Sequence, residues 1–426
     1  MVKIIGAGLA GVEAAYYLAN KGIKVKLYEM RPKKMTEAHK TEKFAELICS
    51  NSLRSNDPFN AVGLLKEEMR ILGSIVLKSA QENQVNAGTS LAVDRANFAG
   101  FITDEIKAHP NIEIITDEVT TIDENELTII AAGPLASDAL SKAIQNKFNT
   151  GHLHFYDAIA PIIEKDSIDL DIVYLKSRYD KGEAAYLNCP MNKEQYEIFY
   201  NELINAKTVE VKDFELNVFE GCMPVEVMAA RGKETLTFGP LKPVGLEIDG
   251  ITPYAVVQLR QDDFSASMYN MVGFQTHLTY PEQKRVIRLI PGLESANIIR
   301  YGVMHKNTYI ESPKILNNGY QSKVFPNIFF AGQISGVEGY IESAASGISA
   351  GINMYSYIKS GEINPLPKET MIGTMANYIS TPNKKFVPMN ANFGIIPELD
   401  FKHKKKMRKE LYASRAIDAL KKYLEV

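Results

Sequence analysis

The sequence predicts an α/β protein in which one Rossmann-like nucleotide-binding domain is interrupted by a smaller, mixed α/β insertion domain. Three observations indicate this arrangement. A glycine-rich βαβ pattern opens the chain, short strand-like runs fill its middle, and a second strand–glycine–helix segment returns near residue 330. We expect the first part of the nucleotide-binding domain over residues 1–135 and the insertion over 136–320. The return segment and a helical, basic tail then follow over 321–426.

Composition and length set the limits within which the fold must lie. At 426 residues the chain has room for two or three domains of about 150 residues. Charged residues make up 23% and hydrophobic residues 45%, which excludes collagen, a coiled coil and wholesale disorder. The net charge is −3, so a nucleic-acid partner would have to be bound by a local basic surface.

The sequence also lacks the patterns typical of zinc-binding, disulfide-rich, membrane-spanning and secreted proteins. The three cysteines have no metal-ligand spacing, which argues against a zinc site or a disulfide framework. No apolar run approaches the roughly 18 residues that span a bilayer. A strand-like stretch directly follows Met1 and leaves no room for a signal peptide. We therefore expect a cytoplasmic protein that does not act at a membrane.

The βαβ unit consists of a strand at residues 2–5, a helix at 12–21 and a second strand at 23–28. Three glycines of the intervening GAGLAG have separate tasks in a dinucleotide site. Gly6 permits the tight turn, Gly8 lets the backbone approach a pyrophosphate, and Gly11 lets helix and strand pack closely.

Glu29 ends the second strand, 18 residues after Gly11, where a carboxylate can accept a hydrogen bond from a ribose hydroxyl. Strand, helix and acid at these distances predict a nucleotide site. The alternative is a glycine-rich turn without a ligand.

The remaining elements are read from their periodicity. Residues 31–53 are polar and basic and predict a long functional loop. Helices are predicted at 64–72 and 95–108, and strands at 112–115 and 127–131. From about 150 to 320, short β-branched and aromatic runs alternate with turns, which predicts a mixed or antiparallel domain. Two such runs are 236–238 and 254–259.

The segment near residue 330 indicates which nucleotide cofactor the site binds. Residues 327–331 predict a buried strand that runs into Gly332 and Gln333, and Gly339 precedes a predicted helix over 340–357. In two-motif flavoproteins such a segment returns to the nucleotide and directs its helix N-terminus toward the flavin. Enzymes that bind NAD or S-adenosylmethionine use related glycine loops but need no second segment of this kind. The two segments together favour FAD, and an ordinary β-turn-α crossover is the alternative.

The cysteines differ in their surroundings. A free cysteine is more often a small buried hydrophobic residue than a nucleophile. Cys49 and Cys222 lie in irregular segments with polar or glycine neighbours, and the nearby Arg54 and Arg231 could lower a thiol pKa. Cys189 precedes a proline at a predicted helix start, where we expect a packed, unreactive thiol.

Several long blocks resemble the folate- and FAD-dependent tRNA (uracil-5-)-methyltransferase family, TrmFO. Besides GAGLAG they are AELICSNSLRSN at 45–56, FEGCMPVEVMAARG at 219–232, LKPVGL at 241–246, PYAVVQLRQD at 253–262, VGFQTHL at 272–278, IRYGVMHKNTYI at 299–310, FFAGQISGVEGYIESAASG at 329–347 and MNANFG at 389–394. The resemblance spans nearly the whole chain. The related GidA-type protein shares the FAD domain but lacks the two cysteine blocks.

The resemblance implies an enzyme that makes 5-methyluridine in RNA. The one-carbon unit would come from 5,10-methylenetetrahydrofolate, and FAD reduced by NADH or NADPH would supply the hydride. Cys222 would add as a thiolate to uracil C6, which lets C5 attack the methylene. Cys49 would then remove the C5 proton or face the flavin. The sequence equally allows the two thiols to exchange these roles.

The implied partners are folate and an RNA, either tRNA or 23S rRNA, and we predict no obligate protein partner. The main expectation is the tRNA T-loop (m5U54). Because the segment 247–252 is shorter than the family's loop at this place, a 23S rRNA uridine is the alternative. Other classes are a flavin-dependent oxidoreductase of a small metabolite, a non-catalytic RNA-binding flavoprotein and a methyltransferase that uses S-adenosylmethionine.

Two basic segments are candidate RNA contacts, although a charge run is usually only a solvated face. One is the run 402–409, with six Lys or Arg in eight positions. The other is the long loop, with Arg31, Lys33, Lys34, His39, Lys40 and Lys43. Arg260, His277 and His305 lie in the family blocks and could line a pocket or serve equally as hydrogen-bonded structural residues.

Overall fold

A computed structural model describes residues 1–149, 152–209, 223–383 and 386–425. Its strands are β1 (Val2–Ile5), β2 (Val25–Glu29), β3 (Ser52–Ser55), β4 (Gln84–Val85), β5 (Ser90–Val93), β6 (Ile112–Thr116), β7 (Thr128–Ile130), β8 (His152–Ala158), β9 (Ile162–Glu164), β10 (Tyr174–Leu175), β11 (Tyr186–Met191), β12 (Ala255–Gln261), β13 (Met268–Met271), β14 (Ile298–Arg300), β15 (Met304–Ile310) and β16 (Ile328–Phe330).

The helices alternate with these strands. They are α1 (Leu9–Asn20), α2 (Ala61–Ile71), α3 (Ile75–Glu82), α4 (Arg95–Ala108), α5 (Asp138–Phe148), α6 (Lys193–Ile204), α7 (Val225–Ala230), α8 (Thr235–Phe238), α9 (Tyr280–Ile287), α10 (Ser312–Ile315), α11 (Tyr340–Ser360), α12 (Met371–Ser380) and α13 (Arg408–Leu424). The described part of the chain contains no helix long and apolar enough to cross a membrane.

A parallel five-stranded sheet forms the first domain, in the order β16-β7-β1-β2-β6. Ile4 of β1 is in register with Leu27 on one side and Ile129 on the other, and all three are fully buried. Such apolar strands are expected where helices cover both faces of a parallel sheet. The predicted return strand is confirmed, because β16 pairs with β7. The predicted α/β nucleotide-binding fold is thereby confirmed.

Helices α1 and α11 pack closely against each other over this sheet. Gly347 of α11 makes the approach possible, since a Cβ at this position would overlap the backbone of Ala10 in α1. The packing brings the N-terminal ends of the two glycine-preceded helices to the same edge of the sheet. The two segments singled out by the sequence therefore converge, although they lie more than 300 residues apart.

The second domain contains an antiparallel six-stranded sheet in the order β10-β11-β12-β13-β9-β14. The prediction of a strand-like run at 236–238 is wrong, because these residues belong to α8. The amide groups of Thr237 and Phe238 donate to the carbonyl of Glu234 at 3.1 and 3.3 Å, as in a helical turn. A three-residue apolar run is too short to carry a period that separates strand from helix.

Two separate hydrophobic cores divide the chain. The first includes Leu140 and Ile144 of α5 and resumes at Tyr309, whereas the second is built from residues between 163 and 298. The antiparallel ladder of β8 and β15 connects the two domains. The first core thus extends beyond residue 135, because the apolar residues of α5 lie four positions apart on one helix face and pack inward.

Cys189 lies inside β11, so the predicted helix start at this cysteine is wrong. Helix α6 begins at Lys193. Its N-cap residue Asn192 and its third residue Gln195 form a reciprocal capping box. The thiol of Cys189 is fully buried in the second core. Its burial confirms the expectation of a packed cysteine, and the same burial raises the pKa of the thiol far above its ordinary range.

Candidate active site

A cavity with an empty volume of about 1010 Å³ lies at the carboxyl ends of the parallel strands. Ile5, Glu29, Ala131 and Gly332 line it, and each lies at the end of a different strand or within two residues of it. This edge is the topological switch point of the sheet, since β2 and β7 lie on opposite sides of β1. Open α/β sheets bind their ligands at such a point.

The three glycines of the first loop have different surroundings. Gly6 has a φ of 102°, and a Cβ there would lie 2.6 Å from the carbonyl oxygen of Ala131. A Cβ on Gly11 would overlap the carbonyl oxygen of Gly6. At Gly8, by contrast, a Cβ would meet no atom within 4 Å, and this residue lines the cavity. The fold itself therefore requires Gly6 and Gly11, whereas Gly8 leaves space for a ligand.

Helix α1 points its N-terminus at this space. Gly8 occupies the N-cap position, and no side chain caps the helix there. The first N–H groups of a helix have no intrahelical partner, and the helix dipole favours negative charge at that end. The arrangement therefore suits a pyrophosphate, as the glycine spacing predicted.

Glu29 lies at the end of β2 and lines the cavity. Its carboxylate accepts hydrogen bonds from the amide of Ala7 at 3.1 Å and from Nε of Arg31 at 3.0 Å. Burial disfavours the charged carboxylate, but the hydrogen bonds and positive charge of Arg31 outweigh it and lower the pKa of Glu29. Glu29 is therefore a fixed anion, able to accept further hydrogen bonds from a ligand.

The long loop between β2 and β3 does not present its cations on one surface. Arg31 is only 4% exposed and bridges Glu29 and Glu46, so its prediction as an RNA contact is wrong. His39 lines the cavity. Lys33 and Lys34 are surface residues that form ion pairs with Asp117 and Glu118, and Lys43 donates to the carbonyl of Ala96. Lys40 is exposed.

The return segment supplies another part of the cavity wall. Gly332, with a φ of 80°, and Gln333 both line it. The side chain of Gln333 donates a 2.5 Å hydrogen bond to Glu338, which fixes its amide. Gly339 does not line the cavity. It occupies the N-cap of α11 with a φ of 112°, where a Cβ would overlap the carboxylate of Glu342.

Cys49 lies beside the cavity, at the junction of the two domains. Its amide donates a 2.7 Å hydrogen bond to the phenol oxygen of Tyr340, the first residue of α11, and Tyr340 itself lines the cavity. The Cys49 thiol lies 3.6 Å from the carbonyl of Ala158, at the end of β8. Burial and the neighbouring Cys49 raise the pKa of Tyr340 well above its ordinary value, so the phenol keeps its proton.

Residues next to Cys49 connect the loop to both domains. Asn51 donates from Nδ2 to the carbonyls of Val93 at 3.0 Å and Gln261 at 2.9 Å. Its Oδ1 accepts from Nε of Arg260 at 2.9 Å, and Arg260 also donates to the Ser50 hydroxyl at 2.6 Å. Asn51 and Arg260 are both buried. The loop is thereby held by the insertion as well as by the nucleotide-binding domain.

A second bridge supports the same loop. Arg95 of α4 pairs with both carboxylate oxygens of Asp262 at 3.0 Å and donates to the carbonyl of Leu47 at 2.8 Å. Arg54, suggested above as a neighbour of a thiol, forms an ion pair with Glu342. The sequence singled out neither Asn51 nor Tyr340. The signal that could have found them is their place within the CSNS block and at the start of the late helix.

Some predicted residues fall elsewhere. Cys222 lies outside the described residues, as does the side chain of His305. His277 is buried, and its imidazole faces the carboxylate of Glu226 at the start of α7. Glu226 also accepts from the hydroxyl of Thr276 at 2.9 Å. Both His277 and Arg260 thus have structural partners, and Arg260 in addition contacts the Cys49 loop.

Comparison with known proteins identifies the family. The family model described as "Glucose inhibited division protein A" matches residues 1–362. The methylenetetrahydrofolate–tRNA-(uracil-5-)-methyltransferase TrmFO of Acholeplasma laidlawii is 63% identical over 426 residues, covering 100% of this chain and 99% of that protein. The chain belongs to the TrmFO family. The TrmFO of Bacillus subtilis is 59% identical, covering 98% of this chain and 97% of its own length.

Solved structures agree with this membership at the level of the fold. Aquifex aeolicus GidA has a TM-score of 0.72 at 17% identity, covering 99% of this chain and 75% of the GidA chain. The relatives and the family model confirm the resemblance to the TrmFO family that the sequence blocks indicated, and this chain shares its fold with GidA.

Proposed function

We propose that this chain is a methylenetetrahydrofolate- and FAD-dependent RNA (uracil-5-)-methyltransferase that forms 5-methyluridine in the T-loop of tRNA. The names of its TrmFO relatives support the reaction class and the tRNA substrate. One structural observation carries the proposal. The backbone of the candidate catalytic Cys49 is hydrogen-bonded to Tyr340 in the wall of the dinucleotide cavity. A thiol is thus held next to the end of the cavity formed by the return segment.

The cavity residues fit FAD. The open face of Gly8 and the N-terminus of α1 would hold the pyrophosphate, and Glu29 would accept from a ribose hydroxyl. Gly332 and Gln333 of the return segment also line the cavity and would contact the cofactor. When bound and reduced by NADH or NADPH, FAD supplies the hydride for the last step of the reaction.

Two thiols account for the remaining steps. One thiolate forms a bond to uracil C6, and the C5–C6 electron pair moves onto the carbonyl as an enolate. C5 then forms a bond to the methylene carbon of the folate, whose bond to nitrogen breaks. A base removes the C5 proton, and the remaining bond between the methylene carbon and the folate nitrogen breaks, so that tetrahydrofolate leaves and an exocyclic methylene remains on C5. A hydride then adds to this methylene, which gives the methyl group, restores the C5–C6 double bond and expels the thiolate from C6. Cys222 and Cys49 are the candidates for the two roles.

The surroundings of Cys49 support a part in this chemistry. Arg260 interacts electrostatically with Cys49 and lies in the same hydrogen-bond network. A fixed guanidinium favours a thiolate over a thiol. The Tyr340 phenol, which keeps its proton, holds the amide groups of Cys49 and Ser50 at 2.7 and 3.3 Å. The thiol is therefore positioned by groups that do not themselves exchange protons near neutral pH.

The test uses methylenetetrahydrofolate labelled in its one-carbon unit, NADH and the FAD-loaded protein. Unmodified tRNA and 23S rRNA are offered separately. We expect label in 5-methyluridine of tRNA, at the T-loop position on nuclease mapping. Label only in rRNA would change the RNA target and keep the proposed chemistry. No label in either RNA would contradict the proposal.

Cysteine variants test the mechanism in the same assay. Cys49→Ala and Cys222→Ala are each expected to reduce labelling at least about 10³-fold, since each removes a group that the reaction uses. Cys189→Ala is the matched control, because this thiol is buried in the second core. It should keep methylation within about threefold. Full activity of Cys49→Ala would remove Cys49 from the mechanism.

A further inference from the structure

A second cleft lies between the long loop and the insertion domain, with an empty volume of about 530 Å³. The loop contributes Glu37, Ala38 and Lys40, and the insertion and the ladder contribute Ile159, Tyr280, Ile299, Arg300, Tyr301 and Val303. Thr36 and His39 of the same loop line the dinucleotide cavity. A single stretch of chain therefore separates this cleft from the candidate active site.

Two tyrosines give the cleft a flat aromatic surface. The rings of Tyr280 and Tyr301 are stacked, with centroids 4.6 Å apart and planes inclined by 28°. Tyr280, the first residue of α9, is 53% exposed. Tyr301 packs against the second core. The inner ring is thus fixed by the core, and a planar ligand can extend the stack on the exposed ring.

Cations flank this aromatic surface. Arg300 donates to the carbonyl of Ala38 at 3.3 Å, which orients its guanidinium at the loop. Within the described part of the chain, no ion-pair partner is found for the exposed side chain of Lys40. Glu37 is the acidic residue among those lining the cleft, so two positive charges face one negative charge. A stacking surface beside positively charged side chains is the arrangement that binds a base together with its phosphate.

We propose that this cleft binds a nucleotide of the RNA substrate that flanks the methylated uridine, with its base on Tyr280 and its phosphate at Lys40 and Arg300. The proposal rests on the RNA substrate proposed above. The position favours RNA over a free dinucleotide, because the cleft is exposed along Tyr280 and Ile299 and lies across one loop from the active site. A strand whose uridine enters the active site has to cross this loop.

The test measures the affinity of the FAD-loaded enzyme for an unmodified tRNA transcript by fluorescence anisotropy at fixed salt. Tyr280→Ala is expected to weaken binding about 5- to 100-fold, as for loss of one stacked base, and Tyr280→Phe to keep it within about twofold. Lys40→Ala should reduce the salt dependence by about one charge. Tyr179→Ala, at a tyrosine of the insertion that is 51% exposed and outside the cleft, is the matched control and should bind normally.

Parallel measurements separate the possible ligands. FAD content and NADPH oxidation without RNA verify that Tyr280→Ala is folded. Unchanged tRNA affinity in this variant, with normal binding by the wild type, overturns the cleft assignment and leaves the proposed function intact. A raised KM for NADPH or methylenetetrahydrofolate without weaker RNA binding overturns it as well, in favour of a co-substrate. A wild-type enzyme that methylates neither tRNA nor rRNA overturns the proposed function and this assignment with it.

Discussion

The side-chain oxygen of Asn51 lies 2.9 Å from Nε of Arg260, and this hydrogen bond joins the loop of Cys49 to the central sheet of the insertion domain. The amide of Asn51 simultaneously reaches Val93 in one domain and Gln261 in the other. Both partners of the bond are buried, so water does not compete for it. Asn51 therefore contributes to the position of Cys49 relative to the insertion, together with the Arg260–Ser50 hydrogen bond and the Arg95–Asp262 ion pair.

Asn51→Ala should separate activity from cofactor binding. The substitution removes the partner of Nε of Arg260 and the side-chain donor to two carbonyls, although Arg260 keeps its bond to Ser50, and each buried group left unpaired costs about 1–3 kcal/mol. We expect methylation to fall at least about tenfold, mainly in kcat, while bound FAD is retained. Asn60→Ala is the control, because Asn60 contacts only Ser55 and Asp57 through its amide. A methylation rate equal to that of the wild type would refute a positioning role for Asn51.

Alanine at Gly8 should weaken FAD binding, whereas alanine at Gly11 should lower the stability of the fold. Gly8→Ala places a methyl group in open space, so the apoprotein should keep its Tm within a few degrees but bind FAD at least about tenfold more weakly. Gly11→Ala forces a Cβ into the carbonyl of Gly6 and should lower stability by about 1–3 kcal/mol or more. Thermal unfolding and flavin titration check both. Equal FAD affinity in Gly8→Ala and the wild type would contradict this assignment.

Glu68 should make stability depend on pH. It is fully buried, and its oxygens accept from the amides of Met371 and Ile372 at the start of α12. Burial raises its pKa from 4.5 to about 8 against these hydrogen bonds. The folded chain therefore holds a proton that the unfolded chain releases. This contribution to stability is complete below pH 4.5 and is lost as the pH rises through 8.

Denaturant unfolding at pH 5 and pH 8 measures this effect. The wild type should lose free energy of unfolding between the two values, and Glu68→Gln should lose less because it cannot ionise. Glu67→Gln, at the half-exposed neighbour, is the control and should follow the wild type. The prediction fails if the pH dependence of Glu68→Gln matches that of the wild type.

The described thiols should differ in reactivity. Cys189 is fully buried with a raised pKa, whereas Cys49 is partly exposed at the domain junction. Brief treatment of the native protein with iodoacetamide should modify Cys49 at least about tenfold faster than Cys189. Peptide mass mapping gives both rates, and repetition in denaturant provides the control, since the two thiols should then react alike. Faster modification of Cys189 in the native state would contradict the structure.

The basic run before α13 should contribute to RNA affinity through charge alone. Lys404, Lys405 and Lys406 are exposed, so their replacement by alanine should not disturb the core. If each contacts one phosphate, the slope of log affinity against log salt falls by about 0.7–0.9 per lysine. Alanine at Lys421 and Lys422, exposed near the end of the same helix, is the matched control. An unchanged slope in the triple variant would exclude the run from the RNA interface.

Local sequence determined the framework of the nucleotide site. The spacing of Gly6, Gly8 and Gly11 and the alternation of strand and helix record interactions between residues close in the chain. Helix α4 has the predicted bounds, and each end of β16 lies within one residue of the predicted strand at 327–331. The family blocks also identified the reaction class. Such elements can be predicted from the sequence because a period of two or 3.6 residues directly reflects which face of a strand or helix is buried.

The tertiary structure alone decided which of these residues meet. Cys49 and Tyr340 are 291 positions apart, and Asn51 and Arg260 are 209 apart. Arg31 looked like a surface cation, but folding buries it between Glu29 and Glu46. No periodicity encodes such pairs, because they arise only when two cores dock and desolvated charges must find partners. The sequence therefore determined the cofactor fold and its chemistry, whereas docking of the two domains decided how the thiol is held.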